Sequence, residues 1–158
     1  MTEIVVPQFG KLLAPYLSAV PVEAFPFLLS ELERTAAARY REWAKQIPEH
    51  QEGLVKCADA EDEIANRAAA LFPPSQEHRD LVAMIIPDAK AAYYAAFEPY
   101  TPAEQIFIQS KAERQDAGAW QRLKEAYPDE AAALDALSAL ELNSANYLDG
   151  ILPSLLKP

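Results

Sequence analysis

The sequence has few cysteines and glycines, and each shortage excludes a class of site. The single cysteine, Cys57, excludes an internal disulfide framework and any zinc or iron-sulfur site built from several cysteines. Only four glycines occur, and the sequence contains no glycine-rich phosphate loop, nucleophile elbow, HExxH motif or EF-hand loop. Hydrolase and nucleotide-binding functions therefore have no support in the sequence.

Positive charge is also scarce. The chain has 14 Lys and Arg against 24 Asp and Glu, which gives a formal net charge of -10 and an isoelectric point near 4.6. Phosphate backbones and anionic lipid surfaces are bound through clustered Lys and Arg. We therefore expect neither nucleic acid nor a membrane surface as a partner.

No long hydrophobic run is present. The longest uncharged run near the N-terminus, residues 12–22, follows Glu3, contains Pro15 and Pro21, and is too short to span a bilayer. Because nothing marks export, we expect a cytoplasmic protein. With 51% hydrophobic and 24% charged residues, the 158 residues have the composition of one globular domain, residues 1–158.

A repeat with an offset of 80 residues organises the chain. Eleven positions between residues 27 and 73 carry the same residue type as the position 80 residues later, and the alignment needs no gap. The most informative pairs are polar: Glu33/Glu113, Arg34/Arg114, Glu61/Glu141 and Asn66/Asn146. We interpret the repeat as a duplicated helical hairpin, with units at about 11–74 and 91–154. The paired asparagines are expected to form interhelical or cap hydrogen bonds.

Prolines divide the sequence into predicted helices, because proline cannot continue a helix from inside. Four long proline-free segments rich in helix formers are predicted to be helical: 27–47, 49–72, 103–127 and 129–152. Turns at Pro48 and Pro128 are short enough to make neighbouring helices antiparallel. Residues 73–102 form a long crossover with two short helices, near 76–86 and 88–97, and short helical turns are expected near 9–17. The sequence thus predicts an all-α fold of two antiparallel hairpins.

Each long predicted helix has a core-facing stripe with alternating spacings of three and four residues, and each stripe contains one glutamate near its middle. These are Glu33, Glu61, Glu113 and Glu141. Counting from the Pro48 turn at 1.5 Å per residue places the first two within ~3 Å of the same level, and the second pair bears the same relation to Pro128. The four carboxylates are predicted to meet in one layer.

A layer of buried anions requires compensation. One buried carboxylate costs several kcal/mol, whereas a whole domain is stable by only about 5–15 kcal/mol. Three sources of compensation are open: divalent metal ions, protons taken up through raised pKa values, or the inward-turned side chains of Arg34, Arg67 or Arg114.

At these residues the chain resembles the ferritin-like superfamily, which includes rubrerythrins and bacterioferritins. That family is a four-helix bundle of two hairpins with a long crossover, and its di-iron site takes a Glu from each helix and a His three residues after the second and fourth Glu. The four glutamates match over residues 27–153. Ile64 and Ser144 stand where the histidines would be, and His50 and His78 lie outside the predicted layer.

The resemblance implies a carboxylate-only di-metal centre whose ligands are Glu33, Glu61, Glu113 and Glu141, with Asp116 nearby. Such oxygen ligands suit hard cations such as Mn, Mg, Ca or ferric iron. The expected cofactor is Fe or Mn, or none, and the expected function is metal binding or O2- or peroxide-linked oxidation. The alternative is a non-catalytic helical bundle with a vestigial site, acting as a homodimer or a partner-binding module.

The remaining residues near the predicted layer have simpler interpretations. Cys57 is expected to be a small buried residue and not a redox thiol. Tyr40 and Trp120 occupy matching repeat positions, and we predict core packing for both, with electron transfer as the alternative. Four aromatic residues of the crossover are predicted to be apolar cover for the helices, with an aromatic ligand pocket as the alternative: Tyr93, Tyr94, Phe97 and Tyr100.

Overall fold

The computed structural model describes residues 3–157, and within that range it is built from helices without any β-strand. The predicted all-α class is confirmed. The α-helices are α1 (Phe9–Leu12), α2 (Ala14–Leu17), α3 (Phe25–Gln46), α4 (Gln51–Leu71), α5 (Gln76–Ala95), α6 (Pro102–Arg122) and α7 (Ala131–Leu155). None of the helices in the described range is long and apolar enough to cross a membrane.

Two helical hairpins account for most of the contacts. Helix α3 packs along α4, and α6 packs along α7, while α4 also contacts α7. Each hairpin turn contains a 3-10 turn that begins with a proline, Pro48–His50 in the first and Pro128–Glu130 in the second. Connections this short make the joined helices antiparallel neighbours.

The sequence repeat recurs as a repeat of contacts. Arg34 of α3 donates a hydrogen bond to the side-chain oxygen of Asn66 on α4, with a distance of 2.8 Å. Arg114 of α6 donates the equivalent bond to Asn146 on α7, at 3.4 Å. The predicted interhelical role of the two asparagines is confirmed.

The crossover differs from the prediction. Helix α5 is one continuous helix with Pro87 inside it, and not two short helices. Proline removes the hydrogen bond to the carbonyl four residues earlier, that of Ala83. Both residues are exposed, so water can reach the unpaired carbonyl. Pro153 is likewise exposed within α7, which continues to Leu155 instead of ending at residue 152.

The N-terminal segment, residues 3–24, covers one side of the hairpins. Its helices α1 and α2 contact α5, and α1 also contacts α6. The Phe9 ring lies 5.8 Å from the ring of Tyr93 and 6.0 Å from that of Phe97, measured between centroids. Gln115 on α6 fixes the segment, because its side chain accepts from the Phe9 amide at 2.8 Å and donates to the Pro7 carbonyl at 3.0 Å.

The hydrophobic core is divided at the level of the glutamates. On α4, Leu54 and Cys57 belong to one apolar cluster and Ile64 and Ala68 to another, with Glu61 between them. The same division occurs on α7, where Leu134 and Leu137 pack in one cluster and Leu148 and Ile151 in the other. Two apolar regions therefore enclose a polar layer, and this layer is the most unusual feature of the interior.

Candidate metal centre

Four glutamates form the polar layer, one from each long helix: Glu33 on α3, Glu61 on α4, Glu113 on α6 and Glu141 on α7. Glu33 is 4% exposed and the other three are fully buried. The alternating three- and four-residue spacing brings them there, because it keeps one stripe of each helix facing the interior.

Three of the glutamates converge closely. Glu33, Glu61 and Glu141 each offer one carboxylate oxygen, and these three oxygens lie within 4.8 Å of one another. A Ca²⁺ to oxygen distance is roughly 2.4 Å, so oxygens with this separation can surround one cation. Glu113 and Asp116 are not part of this three-residue group.

Glu113 is held by hydrogen bonds on one side of its carboxylate. Its Oε1 accepts from the hydroxyl of Tyr40 and, at 3.0 Å, from the side-chain amide of Gln109. The oxygen of that amide accepts in turn from the hydroxyl of Tyr93 at 2.7 Å. This chain of donors fixes the orientation of the Glu113 carboxylate and leaves its other oxygen, Oε2, free.

Glu141 is oriented by one donor, the indole Nε1–H of Trp120, at 2.9 Å from its Oε1. As carboxylates, the four glutamates have five buried oxygens that receive no hydrogen bond from residues 3–157: Glu33 Oε2, Glu61 Oε1, Glu61 Oε2, Glu113 Oε2 and Glu141 Oε2. Buried polar atoms without a partner are rare, and an unpaired charged group costs more than a neutral one. The layer has the character of an incomplete ligand shell.

The electrostatics of the layer favour bound protons or cations. Burial raises the pKa of Glu33 from 4.5 to about 7; the charge of Glu113 adds to this, and hydrogen bonds with Glu61 and Glu141 oppose it. Burial likewise raises the pKa values of Glu61 and Glu141 well above the ordinary value, with further increases from neighbouring glutamate charges. Bound protons or bound cations would each reduce the repulsion between the glutamate carboxylates.

Arginine does not supply this positive charge, so that predicted source of compensation is wrong. Arg34 pairs with Glu31 and Asp62, Arg67 pairs with Glu63, and Arg114 pairs with Asp149. All seven residues of these four ion pairs are partly exposed, on the outer faces of the helices. Acidic neighbours on those faces bind the guanidinium groups without the cost of burying them.

Asp116 occupies a different position from the four glutamates. It lies three residues after Glu113 on α6, is only partly buried, and lines a cavity of about 390 Å³ together with Glu33. Desolvation raises its pKa, and the charges of Glu33 and Glu113 act in the same direction. Its carboxyl group therefore lines the cavity close enough to the glutamate layer to be affected by the charges of Glu33 and Glu113.

Cys57 and the two histidines do not extend the cluster. Cys57 is buried, and burial together with the charge of Glu113 raises the pKa of its thiol to about 12, which keeps it protonated. His50 faces the hydroxyl of Ser154 at 3.4 Å, and the His78 backbone amide donates to Ser75 at the start of α5. The glutamate group contains oxygen ligands alone.

The sequence analysis did not predict the polar role of Tyr93, and it assigned no role to Gln109. Tyr93 is predicted as apolar cover, yet its hydroxyl belongs to the hydrogen-bond chain that reaches Glu113. The sequence did indicate a polar partner for Glu113, since Gln109 is a polar residue four positions before Glu113 on the core-facing stripe. The partner of that amide depends on how α5 packs, which the stripe does not specify.

Comparisons with protein families, with curated proteins and with solved structures find no match to this chain. An assignment of function therefore depends on the arrangement of the buried carboxylates.

Proposed function

We propose that the chain is a ferritin-like four-helix bundle that binds metal ions in the layer formed by Glu33, Glu61, Glu113 and Glu141. The supporting observation is the set of five buried carboxylate oxygens without a donor, contributed by four different helices. The helix order and the pairing of α3 with α4 and of α6 with α7 support the ferritin-like arrangement.

The charge of the layer suits a pair of divalent cations. Four ionised glutamates carry four negative charges, and two divalent ions carry four positive charges. The ligands are all oxygen atoms, which favours hard cations such as Mn²⁺, Mg²⁺, Ca²⁺ or ferric iron over soft ones. Asp116 would provide a fifth carboxylate on the cavity side of Glu33.

The chain's own residues would orient the ligands. Tyr40 and Gln109 hold Glu113 through Oε1, and Trp120 holds Glu141 through Oε1, which leaves Oε2 of each glutamate without a donor from residues 3–157. A donor that holds one oxygen of a carboxylate ligand fixes the direction of the other oxygen. Bound iron or manganese would supply chemistry with O2 or peroxide, which is the enzymatic form of the proposal.

The alternative function is a metal-free bundle that acts through its surface, as a homodimer or a partner-binding module. Protons would then neutralise the layer. In its favour, Glu33 lies within hydrogen-bonding reach of both Glu61 and Glu141. Two carboxyl groups can form such a bond when one of them is protonated.

Metal content and metal-dependent stability distinguish the two functions. Protein purified without chelators would be analysed for bound metal, and chelator-treated protein would be titrated with Mn²⁺, Fe²⁺, Ca²⁺ and Mg²⁺. Metal at 100 times its dissociation constant stabilises the folded state by about 2.7 kcal/mol. For a chain of this size the melting temperature should rise by roughly 5–10 °C.

Glu61→Gln is the informative variant, because both of its carboxylate oxygens lack a donor. It should abolish the metal-dependent increase in melting temperature. Glu63→Gln on the same helix is the matched control, since Glu63 is half-exposed and pairs with Arg67 on the surface. Absence of bound metal, with no cation raising the melting temperature, would remove the metal-binding proposal in favour of the metal-free bundle.

A further inference from the structure

The cavity beside Glu33 is a candidate for a second function. It has a volume of about 390 Å³ and opens between α3, α6 and the N-terminal segment. Cavities of about 300–1,000 Å³ are typical of small-molecule sites. Its buried walls are mainly apolar and include Phe9, Leu13, Ala36 and Ala112, while Glu33 is its most deeply placed acid.

The opening of the cavity has the opposite charge from the rest of the chain. Five exposed residues line it, and they include three cations and no acid: Gln8, Gly10, Lys11, Arg114 and Arg122. This occurs in a chain with 24 acidic and 14 basic residues. Arg114 is engaged by Asp149. Lys11 and Arg122 form no ion pair with any residue in the range 3–157, so their charges are available to a ligand.

Two glycines, Gly10 and Gly118, line this cavity. Gly10 has open space where a side chain would begin, with no atom within 4 Å of a Cβ placed there. At Gly118 a Cβ would lie 3.4 Å from Nη1 of Arg122. The guanidinium of Arg122 therefore lies in van der Waals reach of the α6 surface at residue 118, beside the cavity.

We propose that this cavity binds a small amphipathic organic anion, a carboxylate with an apolar body. The carboxylate would bind Lys11 and Arg122 at the opening, and the apolar body would extend inward between α3 and α6. The reverse orientation would place an anion beside Glu33 and Asp116, which repel it. The inference goes beyond the proposed metal site and does not depend on it, because neither Lys11 nor Arg122 contacts the glutamate layer.

The volume limits the size of the ligand. An engineered cavity of 150 Å³ holds benzene, so a cavity of about 390 Å³ corresponds to a molecule of roughly 10–15 non-hydrogen atoms. Octanoate falls in this range. Octan-1-ol and octylamine have nearly the same body with a neutral and a cationic head group, which makes them matched probes for the charge preference.

Isothermal titration calorimetry on the full chain would test the site with these three probes. Octanoate should bind saturably with one molecule per chain, octan-1-ol more weakly, and octylamine not at all. Equal affinity for the three probes, or no saturable binding of octanoate, would overturn the proposal.

Three exposed positions allow the head-group contact to be tested without disturbing the core. Lys11→Met and Arg122→Gln should each weaken octanoate binding by about two- to fivefold, as expected for partly exposed ion pairs, and should leave octan-1-ol binding unchanged. Lys45→Met is the matched control, because Lys45 is exposed, does not line the cavity and forms no ion pair with residues 3–157. An equal loss in the control would count against the proposal.

Filling the cavity tests the position of the apolar body. Ala119 lines the cavity and is only partly buried, so Ala119→Leu should reduce octanoate and octan-1-ol binding together. The melting temperature of the variant would be measured first, to show that it is folded. A folded Ala119→Leu variant that binds octanoate with unchanged affinity would show that the ligand lies elsewhere.

Discussion

Replacing Glu33 by glutamine should stabilise the metal-free protein at neutral pH. The substitution keeps the shape of the side chain and removes a charge that is 4% exposed. The folded-state pKa of Glu33 is about 7, against 4.5 for a solvent-exposed glutamate in an unfolded chain. The folded state therefore holds the proton more tightly than the unfolded state, and stability is lost as the pH rises through this interval.

The size of the effect follows from the two pKa values. They differ by 2.5 units, because 7 minus 4.5 is 2.5, and each unit corresponds to about 1.36 kcal/mol, so the full penalty is about 3 kcal/mol. Below about pH 4.5 the carboxyl is protonated in both states and the penalty is absent. The stability of Glu33→Gln minus that of the wild type should rise from near zero at about pH 4.5 to about 3 kcal/mol at about pH 8.

Urea unfolding in the presence of a chelator would measure this difference at several pH values. Other titrating groups contribute to both proteins, so subtraction removes most of their effect. Glu63→Gln, at an exposed ion pair with Arg67, should differ from the wild type by less than about 0.5 kcal/mol. A Glu33→Gln difference that stays constant between about pH 4.5 and 8 would refute the raised pKa of Glu33.

Three further substitutions test contacts around the layer and at the N-terminus. Trp120→Phe removes the one donor to Glu141 Oε1 and should lower the free energy of unfolding by about 1–3 kcal/mol in urea; unchanged stability would mean that the bond contributes nothing. Gly53→Ala introduces a Cβ that overlaps the phenol ring of Tyr147, and we expect a loss of roughly 1–3 kcal/mol. In a Tyr147→Ala background the same change should instead stabilise α4 by up to about 1 kcal/mol, which a double-mutant cycle would reveal. Gln115→Ala removes the two hydrogen bonds between Gln115 and the N-terminal segment, so limited proteolysis with mass spectrometry should show faster cleavage within residues 3–24; an unchanged rate would show that other contacts hold it.

The layer of glutamates was accessible to sequence analysis because two local rules determine it. The 80-residue repeat placed Glu33 and Glu113 at equivalent positions, and likewise Glu61 and Glu141. Alternating spacing of three and four residues then assigned each of them to the interior, where all four are buried. The repeat is visible in the sequence itself, and the spacing rule involves residues on one helix, so no information about the packing of distant elements was needed.

The continuous α5 helix, the role of Tyr93 and the direction of Arg34 could not be predicted without knowing how elements distant in sequence pack together. Pro87 was expected to end a helix, but its cost depends on whether the unpaired carbonyl faces water, which the sequence around it does not show. Tyr93 became part of the site only because α5 directs its hydroxyl towards Gln109 on α6. Arg34 has an aliphatic stem long enough to turn either way, and Asn66 and Asp62 on the neighbouring helix are among the residues that bind it on the outer face.

The division of the four acids between the two hairpins has a consequence for how the protein assembles. Each hairpin contributes two of them, so neither hairpin by itself contains a complete set of ligands. A cation held at the midpoint would connect the first half of the chain to the second, and its removal would weaken their association before it unwound any helix. In the proposed metal-bound protein, the centre would be complete only when the two halves of the chain are docked.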